Sequence, residues 1–421
     1  MIQVINHDYP FASLHLYFRP GSRRDPDGLE GLTYLTAHMM MRGAGDRNYA
    51  EFSEALDCIG ASLDIGVGRD TIAIEGDTLT RNLPGWLALT SDALRRPRFE
   101  PEELERLKRQ TIAENEERRD SDEDLCAYIM YQELSRPDPA GRPIKGTAES
   151  LNRITIADIR RQHSTLMSRA DLVAGACGDL EDDFEARVMD SLALPQGEHV
   201  EDQPYTSADP GRVRVILVDK PDRSQTQIMA GRLSLPVSSP DYYPLMVSNT
   251  VFGGTFTARL SQEIREKRGW SYGANSSLVA QRTTGMWNFH FYPAADDAVK
   301  ALALGLDLHR QWASDGITAE ELTFASSYLT NRFPFHLQTP RHRLMEKLRL
   351  RLLGLPADET SRYMSNVAAV TVEQANAATA RHLPPGDLTV VMVCTAADLI
   401  GEIAALPSVD SVEVHPYDQD W

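Results

Sequence analysis

The 421-residue sequence predicts an α+β fold made of two similar domains, each a mostly antiparallel sheet covered on one face by helices. Three observations support this prediction. Strand-like runs are followed by helix-like runs and do not alternate strictly with them, as they do in parallel α/β folds. Similar segments occur once in each half of the chain, and a segment without periodicity separates the halves. The length also exceeds what one ordinary core needs.

The first half of the chain begins with a predicted strand. At 11–18, apolar and polar residues alternate, which is typical of a half-buried strand. The other elements of this half are predicted in this order: helices at 31–41 and 49–59, paired strands at 61–67 and 70–77, helices at 83–94 and 101–119, and a short buried strand at 170–177.

The second half repeats several of these features. A helix that opens at 99–104 has a counterpart opening at 316–322, and each follows an alanine- and leucine-rich helix. The buried strand at 170–177 has a counterpart at 386–394, and both end in cysteine. One repeat of this length predicts two copies of a domain and excludes a solenoid, whose repeats are far shorter.

The predicted joint between the domains lies where the composition changes. Residues 195–211 are rich in Pro, Asp, Glu and Ser and lack periodicity, which indicates a linker. An entering strand is predicted directly after it, at 212–218. We therefore expect an N-terminal domain at 1–194 and a C-terminal domain at 212–421.

Composition excludes several classes of partner. The formal net charge of −18 repels nucleic acid and anionic lipid, so neither is expected as a partner. No run of the sequence approaches the ~20 apolar residues of a membrane span. The four cysteines show no CxxC spacing, so no zinc ribbon or redox motif is predicted. The first residues lack a signal-peptide pattern, which favours the cytoplasm, or the periplasm if a signal has been removed.

A segment at 31–43, followed by a second at 49–64, resembles the start of the M16 (pitrilysin-like, insulinase-like) metallopeptidases. Active members carry H-x-x-E-H there: the two histidines, four residues apart on one helical face, bind zinc, and the glutamate activates water. In this sequence the corresponding positions are Tyr34, Ala37 and His38. The family's third ligand, a glutamate on a later helix, matches Glu114, and its supporting glutamate is replaced by Leu107.

The altered motif has a direct chemical consequence. A catalytic zinc normally keeps three protein ligands, whereas only His38 and Glu114 remain here. Loss of the general base at Ala37 typically costs ~10²–10⁴ in rate. We expect no zinc and no cofactor in this chain, with His38 acting as an ordinary helix histidine; a residual metal site at His38 and Glu114 is the alternative.

The strongest resemblance to the M16 family lies at 252–273, which matches the family segment R-L-x-x-x-[IL]-R-x-x-x-G-x-x-Y. A helix is predicted at 257–267, with Gly269 as its left-handed cap. The resemblance implies that Arg265 and Tyr272 bind the substrate carbonyl, and it places Gly253 and Gly254 in a glycine-rich loop. The alternative is a surface arginine beside a packed tyrosine.

The resemblance covers nearly the whole chain and implies an M16 peptidase-like (LuxS/MPP-like) fold in both domains. It also implies a division of labour, because some family members split the zinc site and the arginine–tyrosine pair between two chains. We expect a non-catalytic, substrate-binding subunit of a bacterial heterodimeric zinc metalloendopeptidase, inactive alone, that acts on short or unfolded peptides. Zinc is expected in a homologous partner. Related bacterial pairs trim precursor peptides, such as that of pyrroloquinoline quinone. A purely structural subunit is the alternative.

Overall fold

The computed structural model describes residues 1–206 and 211–419, which form two compact units. The first unit comprises Met1–Glu116, Arg142–Asp202 and Phe335–Leu352. The second comprises Glu117–Gly141, Gln203–Pro334 and the residues from Leu353 on. Each unit therefore contains a segment from the other half of the sequence. Part of the predicted linker, residues 207–210, lies outside the described residues.

The first unit contains a five-stranded sheet. Its strands are β1 (Ile2–Ile5), β2 (Phe11–Phe18), β3 (Asp64–Val67), β4 (Ile72–Leu79) and β5 (Val173–Gly178). Their order is β1-β5-β2-β4-β3, so the last strand of this group lies between the first two. Only β1 and β5 are parallel, and the other three pairs are antiparallel.

The second unit contains a six-stranded sheet with the same plan. Its strands are β6 (Val213–Asp219), β7 (Gln227–Ser234), β8 (Ala274–Ala280), β9 (Gly285–Phe291), β10 (Leu388–Cys394) and β11 (Ser411–Pro416). The order β6-β10-β7-β9-β8 repeats that of the first sheet, with the same strand directions, and β11 is added parallel to β6. The predicted fold class, with two homologous mostly antiparallel sheets, is confirmed.

Sixteen α-helices are found among the described residues. In chain order they are α1 (Leu32–Met39), α2 (Tyr49–Cys58), α3 (Leu83–Arg95), α4 (Pro101–Glu117), α5 (Asp122–Ser135), α6 (Ala148–Arg153), α7 (Ile156–Leu166), α8 (Phe184–Leu192), α9 (Tyr242–Phe252), α10 (Arg259–Ser261), α11 (Ala298–Asp315), α12 (Ala319–Arg332), α13 (Pro340–Leu353), α14 (Glu359–Ala368), α15 (Val372–His382) and α16 (Ala396–Ala404). Several begin with a capping box, as α2 does at Asn48 and α12 at Thr318, which satisfies backbone N–H groups of the first turn.

Both sheets are covered by helices on both faces, whereas the sequence predicted cover on one face. In the first unit the second face is covered by α13, whose Leu344 and Leu348 pack with Tyr17 and Cys177. A Cβ on Gly175 in β5 would lie only 2.8 Å from Leu344. A glycine is needed at this position because the helix lies close against the strand.

In the second unit the second face is covered by α5, which the sequence did not predict. Cys126, Ile129 and Met130 of this helix pack with Met229 and Val391 of the sheet. The central strand β10 is buried along all of its residues, as its continuous apolar sequence predicted.

An aromatic cluster fills the other side of the second sheet and encloses His309 of α11. His309 is 1% exposed, and its ring centroid lies 5.1 Å from that of Trp287. Burial lowers its pKa to about 3, because the charged imidazolium cannot be solvated there. The histidine is therefore neutral in the folded protein at ordinary pH.

We predict that His309 makes the second unit sensitive to acid. Unfolding restores an ordinary histidine pKa near 6.5. The free energy of unfolding therefore falls by about 1.4 kcal/mol for each pH unit as the pH decreases from about 6.5 towards 3. His309→Leu should lose less stability than the wild type between pH 7 and pH 5, measured by urea unfolding. His336→Leu, at an exposed histidine, is the control and should lose as much as the wild type. Equal losses in both variants would contradict the prediction.

Candidate functional site

The loop after α9 positions the segment that carries Arg265 and Tyr272. The carbonyl of Gly253 accepts a hydrogen bond from the Ser276 N–H of β8 at 3.0 Å, and a Cβ on Gly253 would lie 2.5 Å from Ser276. A Cβ on Gly254 would lie 2.7 Å from Thr250. Gly253 thus allows the loop to approach the edge strand β8, and Gly254 allows it to turn back against the end of α9.

The predicted helix at 257–267 is shorter and less regular than expected. It starts at Arg259 in α10 and continues as a π-helical turn over Gln262–Glu266, in which the Lys267 N–H bonds to the Gln262 carbonyl at 3.0 Å. Gly269 has a φ of +65°, so the predicted left-handed cap is confirmed. Such π turns interrupt helices frequently at functional sites because they re-aim the side chains.

Arg259, the first arginine of the motif, has a structural role. Its guanidinium donates to both carboxylate oxygens of Glu321, at 2.7 and 2.6 Å, and to the Gly316 carbonyl at 2.9 Å. Glu321 belongs to the capping box of α12. This fork-to-fork pair anchors α10 to the start of α12 and fixes the segment that follows.

Arg265 lies between two exposed aromatic rings. Its guanidinium carbon is 3.9 Å from the ring centroid of Phe256 and 5.5 Å from that of Tyr272. Nη1 donates to Glu266 at 2.7 Å. The rings hold the planar guanidinium by cation–π attraction while leaving its other N–H groups without hydrogen-bond partners among the described residues.

Tyr272 is held by its backbone and not by its side chain. The neighbouring Ser271 hydroxyl donates to the Gly273 carbonyl at 2.6 Å and accepts from the Tyr292 N–H at 3.0 Å, which fixes the backbone on both sides. The Tyr272 side chain itself is 82% exposed. It lies two residues before β8.

The arrangement brings together the two residues that the sequence paired. The exposed phenol lies beside the guanidinium of the partly exposed Arg265, and Phe256 adds an exposed apolar ring next to them. Planar N–H donors and a hydroxyl donor can bind a carbonyl oxygen or the oxyanion that develops from it. The sequence did not predict the role of Phe256, because an isolated aromatic residue gives no signal of what it stacks against.

The degenerate zinc motif lies on α1 and α4 of the first unit. Tyr34 and His38 face the same side of α1, with ring centroids 4.2 Å apart, while Ala37 is fully buried. Leu107 of α4 is 3% exposed and belongs to the core of this unit. The position of the family's supporting glutamate therefore contributes packing instead of charge.

A lysine forms an ion pair with the carboxylate that would complete the metal site. The Lys145 ammonium lies 2.7 Å from one oxygen of Glu114 and 5.6 Å from the ring centroid of Tyr34. The other Glu114 oxygen accepts from the Gln110 amide at 3.0 Å. Both oxygens are thus engaged, and an internal cation occupies the neighbourhood of the third ligand. Lys145 lies in a loop, and no local pattern in the sequence predicts this contact.

The pKa shifts at this position keep His38 neutral and Glu114 ionised, which are the forms that ligate metals, so the missing ligands and the Lys145 cation are what disfavour a metal here. Burial lowers the pKa of His38 to about 4, and the nearby cations Lys145 and Arg42 lower it further against the attraction of Glu114. Burial and the Glu114 charge raise the pKa of Tyr34, so its hydroxyl stays protonated. Burial disfavours ionised Glu114, but the hydrogen bonds from Lys145 and Gln110 outweigh this and lower its pKa. Throughout 1–206 and 211–419, no cluster of three His, Cys, Asp or Glu residues is arranged to hold a metal.

A buried Ser–His–Glu arrangement elsewhere in the first unit is structural. The Ser13 hydroxyl lies 3.0 Å from Nε2 of His15, and the Glu75 carboxylate lies 3.4 Å from Nδ1. The contact with His15 is the main reason that the pKa of Glu75 falls to about 2. Ser13 is 1% exposed and His15 fully buried, so neither can reach a substrate.

The described part of the chain contains no helix that is both long enough and apolar enough to cross a bilayer.

Comparisons with known proteins connect both sites to one family. Residues 2–148 match the family model described as insulinase (peptidase family M16), and residues 153–329 match the one described as peptidase M16 inactive domain. A non-peptidase homologue, YmxG, of Helicobacter pylori is 24% identical over 92% of this chain and 90% of its own length. An uncharacterized zinc protease of Mycobacterium tuberculosis is 26% identical over 88% of this chain and 85% of its own length.

Solved structures show the same likeness in fold. A peptidase M16 inactive domain from Pseudomonas fluorescens superposes with a TM-score of 0.84 at 25% identity, covering 93% of this chain and 94% of that chain. A chain of complex III2 from Candida albicans superposes with a TM-score of 0.78 at 16% identity, covering 94% of each chain.

We predict that the purified chain binds no stoichiometric zinc and cleaves no peptide alone. Tyr34→His with Ala37→Glu restores the motif H-x-x-E-H, but Lys145 still forms an ion pair with Glu114. This variant should therefore bind zinc weakly. Adding Lys145→Met should raise the zinc affinity by about tenfold, the size of effect typical of residues around metal ligands. Isothermal titration calorimetry with zinc measures the affinity of the wild type, of the double variant and of the triple variant.

Lys300→Met is the control for the loss of a lysine, since Lys300 pairs with Asp297 on a different part of the chain. It should leave the affinity of the restored site unchanged. One tightly bound zinc per wild-type chain, with chelator-sensitive cleavage, would contradict the prediction.

Proposed function

Because the chain belongs to the M16 peptidase family, we propose that it is the non-catalytic, substrate-binding subunit of a heterodimeric zinc metalloendopeptidase. Its partner is a homologous chain that carries zinc and the water-activating glutamate. The substrate is a short or unfolded peptide, such as a precursor peptide that the pair trims. In this complex, Arg265 and Tyr272 bind the reacting carbonyl of the peptide held at the partner's zinc.

The contrast between the two sites supports this proposal. In the first unit, the position of the general base is the buried Ala37, and Lys145 neutralises Glu114. Nothing there activates water. In the second unit, the backbone around Arg265 and Tyr272 is fixed by Gly269, Ser271 and neighbouring contacts. One chain therefore has groups that suit carbonyl binding and lacks those that suit hydrolysis.

The observation that carries the proposal is the 82% exposure of Tyr272 beside the aligned guanidinium of Arg265. A tyrosine kept only for packing buries its ring, which contributes most of its stabilising free energy. An exposed tyrosine with an ordered backbone suits a group that is completed by a ligand. Its hydroxyl and the free N–H groups of Arg265 are preorganised donors, and such donors contribute most when the partner excludes water.

The edge strand β8 offers a means of binding the peptide backbone. It is the last strand of its sheet, so one side of its backbone has no neighbouring strand among the described residues, although its Ser276 N–H already bonds to the Gly253 carbonyl. Extended peptides add to such edges through main-chain hydrogen bonds, which gives affinity with little dependence on sequence. Tyr272 lies just before this strand, which suits a carbonyl at one end of the added peptide.

We predict that Tyr272→Phe lowers peptide turnover by the assembled pair ~10²–10³-fold, because the variant keeps the ring but removes the hydroxyl donor. Arg265→Lys should also fail, since an ammonium does not reproduce the planar fork of a guanidinium. Each variant is mixed with the homologous chain that carries an intact H-x-x-E-H, and cleavage is measured after heterodimer formation has been verified by gel filtration.

Matched controls are Tyr9→Phe, at another exposed tyrosine, and Arg268→Lys, three residues from Arg265. Both should retain wild-type turnover. Full turnover by an intact complex carrying Tyr272→Phe and Arg265→Lys would reject the proposal in favour of a purely structural subunit.

A further inference from the structure

A large cavity lies at one end of the sheet in the second unit. Its volume is about 1360 Å³, which exceeds the usual range for small-molecule pockets. The walls are formed by the last residues of α5 and β7, the first residues of β6 and β10, and the turn between β8 and β9 at Thr283 and Thr284. Several elements of the unit converge on this space, and none of the residues assigned to carbonyl binding lines it.

Arginines dominate the charge of this cavity, although the protein as a whole is strongly acidic. The cationic lining residues are Arg136, Arg212, Arg214, Arg232 and Arg381. The anionic lining residues are Glu133, Asp387 and Glu413. Adding Asp241, which pairs with Arg381 at 2.5 Å, gives five guanidinium groups and four carboxylates. The cavity therefore has a local positive excess in a chain of net charge −18.

The excess charge is distributed unevenly. Glu133 is shared between Arg136, at 2.9 Å, and Arg214, at 2.8 Å, and Arg214 also lies 3.7 Å from Glu413. Arg232 is paired with Asp387 at 2.6 Å. The guanidinium of Arg212 forms no ion pair or hydrogen bond with any residue that the structure describes. It is exposed, and it marks the part of the cavity where a carboxylate would be bound.

A second group in the wall also lacks a partner. The hydroxyl oxygen of Ser234, at the end of β7, is buried and makes no hydrogen bond within the described residues. A buried hydroxyl without a partner carries a cost of about 1–3 kcal/mol unless a ligand or water satisfies it. Leu134, Leu233 and Leu235 line the same space. Apolar surface beside guanidinium groups suits a peptide with acidic and apolar side chains better than a compact inorganic anion.

We propose that this cavity binds an acidic, leucine-containing segment of the peptide substrate, with its carboxylates at Arg212 and Arg136. The inference rests on the proposed function and adds a substrate class to it. A single excess charge favours one or two carboxylates over a polyphosphate, whose charge would exceed what the cavity can neutralise. Guanidinium groups bind carboxylates in a planar, two-pronged geometry, which gives the site its selectivity.

The edge strand β8 links the cavity to the carbonyl-binding pair. Tyr272 precedes the first residue of this strand, and Thr283 and Thr284 follow its last residue. A strand of seven residues spans about 23 Å. An extended peptide along this edge would therefore place its acidic segment about seven to ten residues from the bond that is cleaved.

The first experiment measures binding by the chain alone, without a zinc-bearing partner. The probe is a short fluorescein-labelled peptide rich in aspartate and leucine, and its counterpart has asparagine in place of aspartate. Fluorescence anisotropy should show at least tenfold tighter binding of the acidic peptide. Arg212→Gln and Arg136→Gln should each weaken it about fivefold, the scale of exposed ion pairs, and leave the asparagine peptide unaffected. Tyr9→Phe, at an exposed tyrosine outside the cavity, should leave both affinities unchanged.

Arg310→Gln is the matched control, because it removes the same charge from an exposed arginine of α11 that does not line the cavity. It should leave the affinity unchanged. Equal binding of the two peptides, or an equal effect of Arg310→Gln and Arg212→Gln, overturns the inference. Competition by inorganic phosphate as effective as that by unlabelled acidic peptide also overturns it.

A second arm separates this inference from the proposed function. With the partner present, substrates that carry the acidic segment seven to ten residues from the cleaved bond should be cleaved about tenfold faster at low concentration than those with asparagine. Sensitivity of turnover to Tyr272→Phe without any preference for acidic substrates would leave the proposed function intact and reject the cavity as a binding site. Acid-selective binding by the chain alone, without an effect of Tyr272→Phe on turnover, would support the cavity as a binding site and reject the proposed role of Tyr272.

Discussion

The constraint on which both units depend is the insertion of a late strand into the centre of each sheet. The strand β5 lies between β1 and β2, and β10 lies between β6 and β7. A central strand with apolar side chains on both sides needs cover on both faces. The helices that follow each sheet's early strands cover one face, and a single helix from the other half of the sequence, α13 or α5, covers the second.

The repeated plan also explains where the two candidate sites lie. In each unit, two helices connect the second strand to the edge strand: α1 and α2 in the first, α9 and α10 in the second. The degenerate zinc motif occupies the first helix of one copy, and Arg265 follows the start of the second helix of the other. The same connection thus carries one candidate site in each unit.

The sequence predicted the elements whose signals are local. The buried strand β10 and the glycine cap at Gly269 both depend on neighbouring residues, and the structure confirms them. Features that depend on distant contacts were not predicted. Helix α5 begins with an acidic first turn and packs against strands far away in sequence, and the contact of Lys145 with Glu114 joins a loop to a helix. The π-helical turn before Arg265 likewise has no compositional signal.

The exchange of helices between the halves has a consequence for how the chain matures. The sheet of the first unit is complete in sequence at β5, but the helix that covers its second face, α13, is made only after Pro340. During synthesis this face, with Tyr17 and Cys177, must wait for much of the second half to emerge from the ribosome. A nascent chain in this state exposes apolar surface, which makes it a client for chaperones and a target for aggregation. A chain truncated before α13 is therefore expected to be an aggregation-prone fragment instead of an independent N-terminal domain.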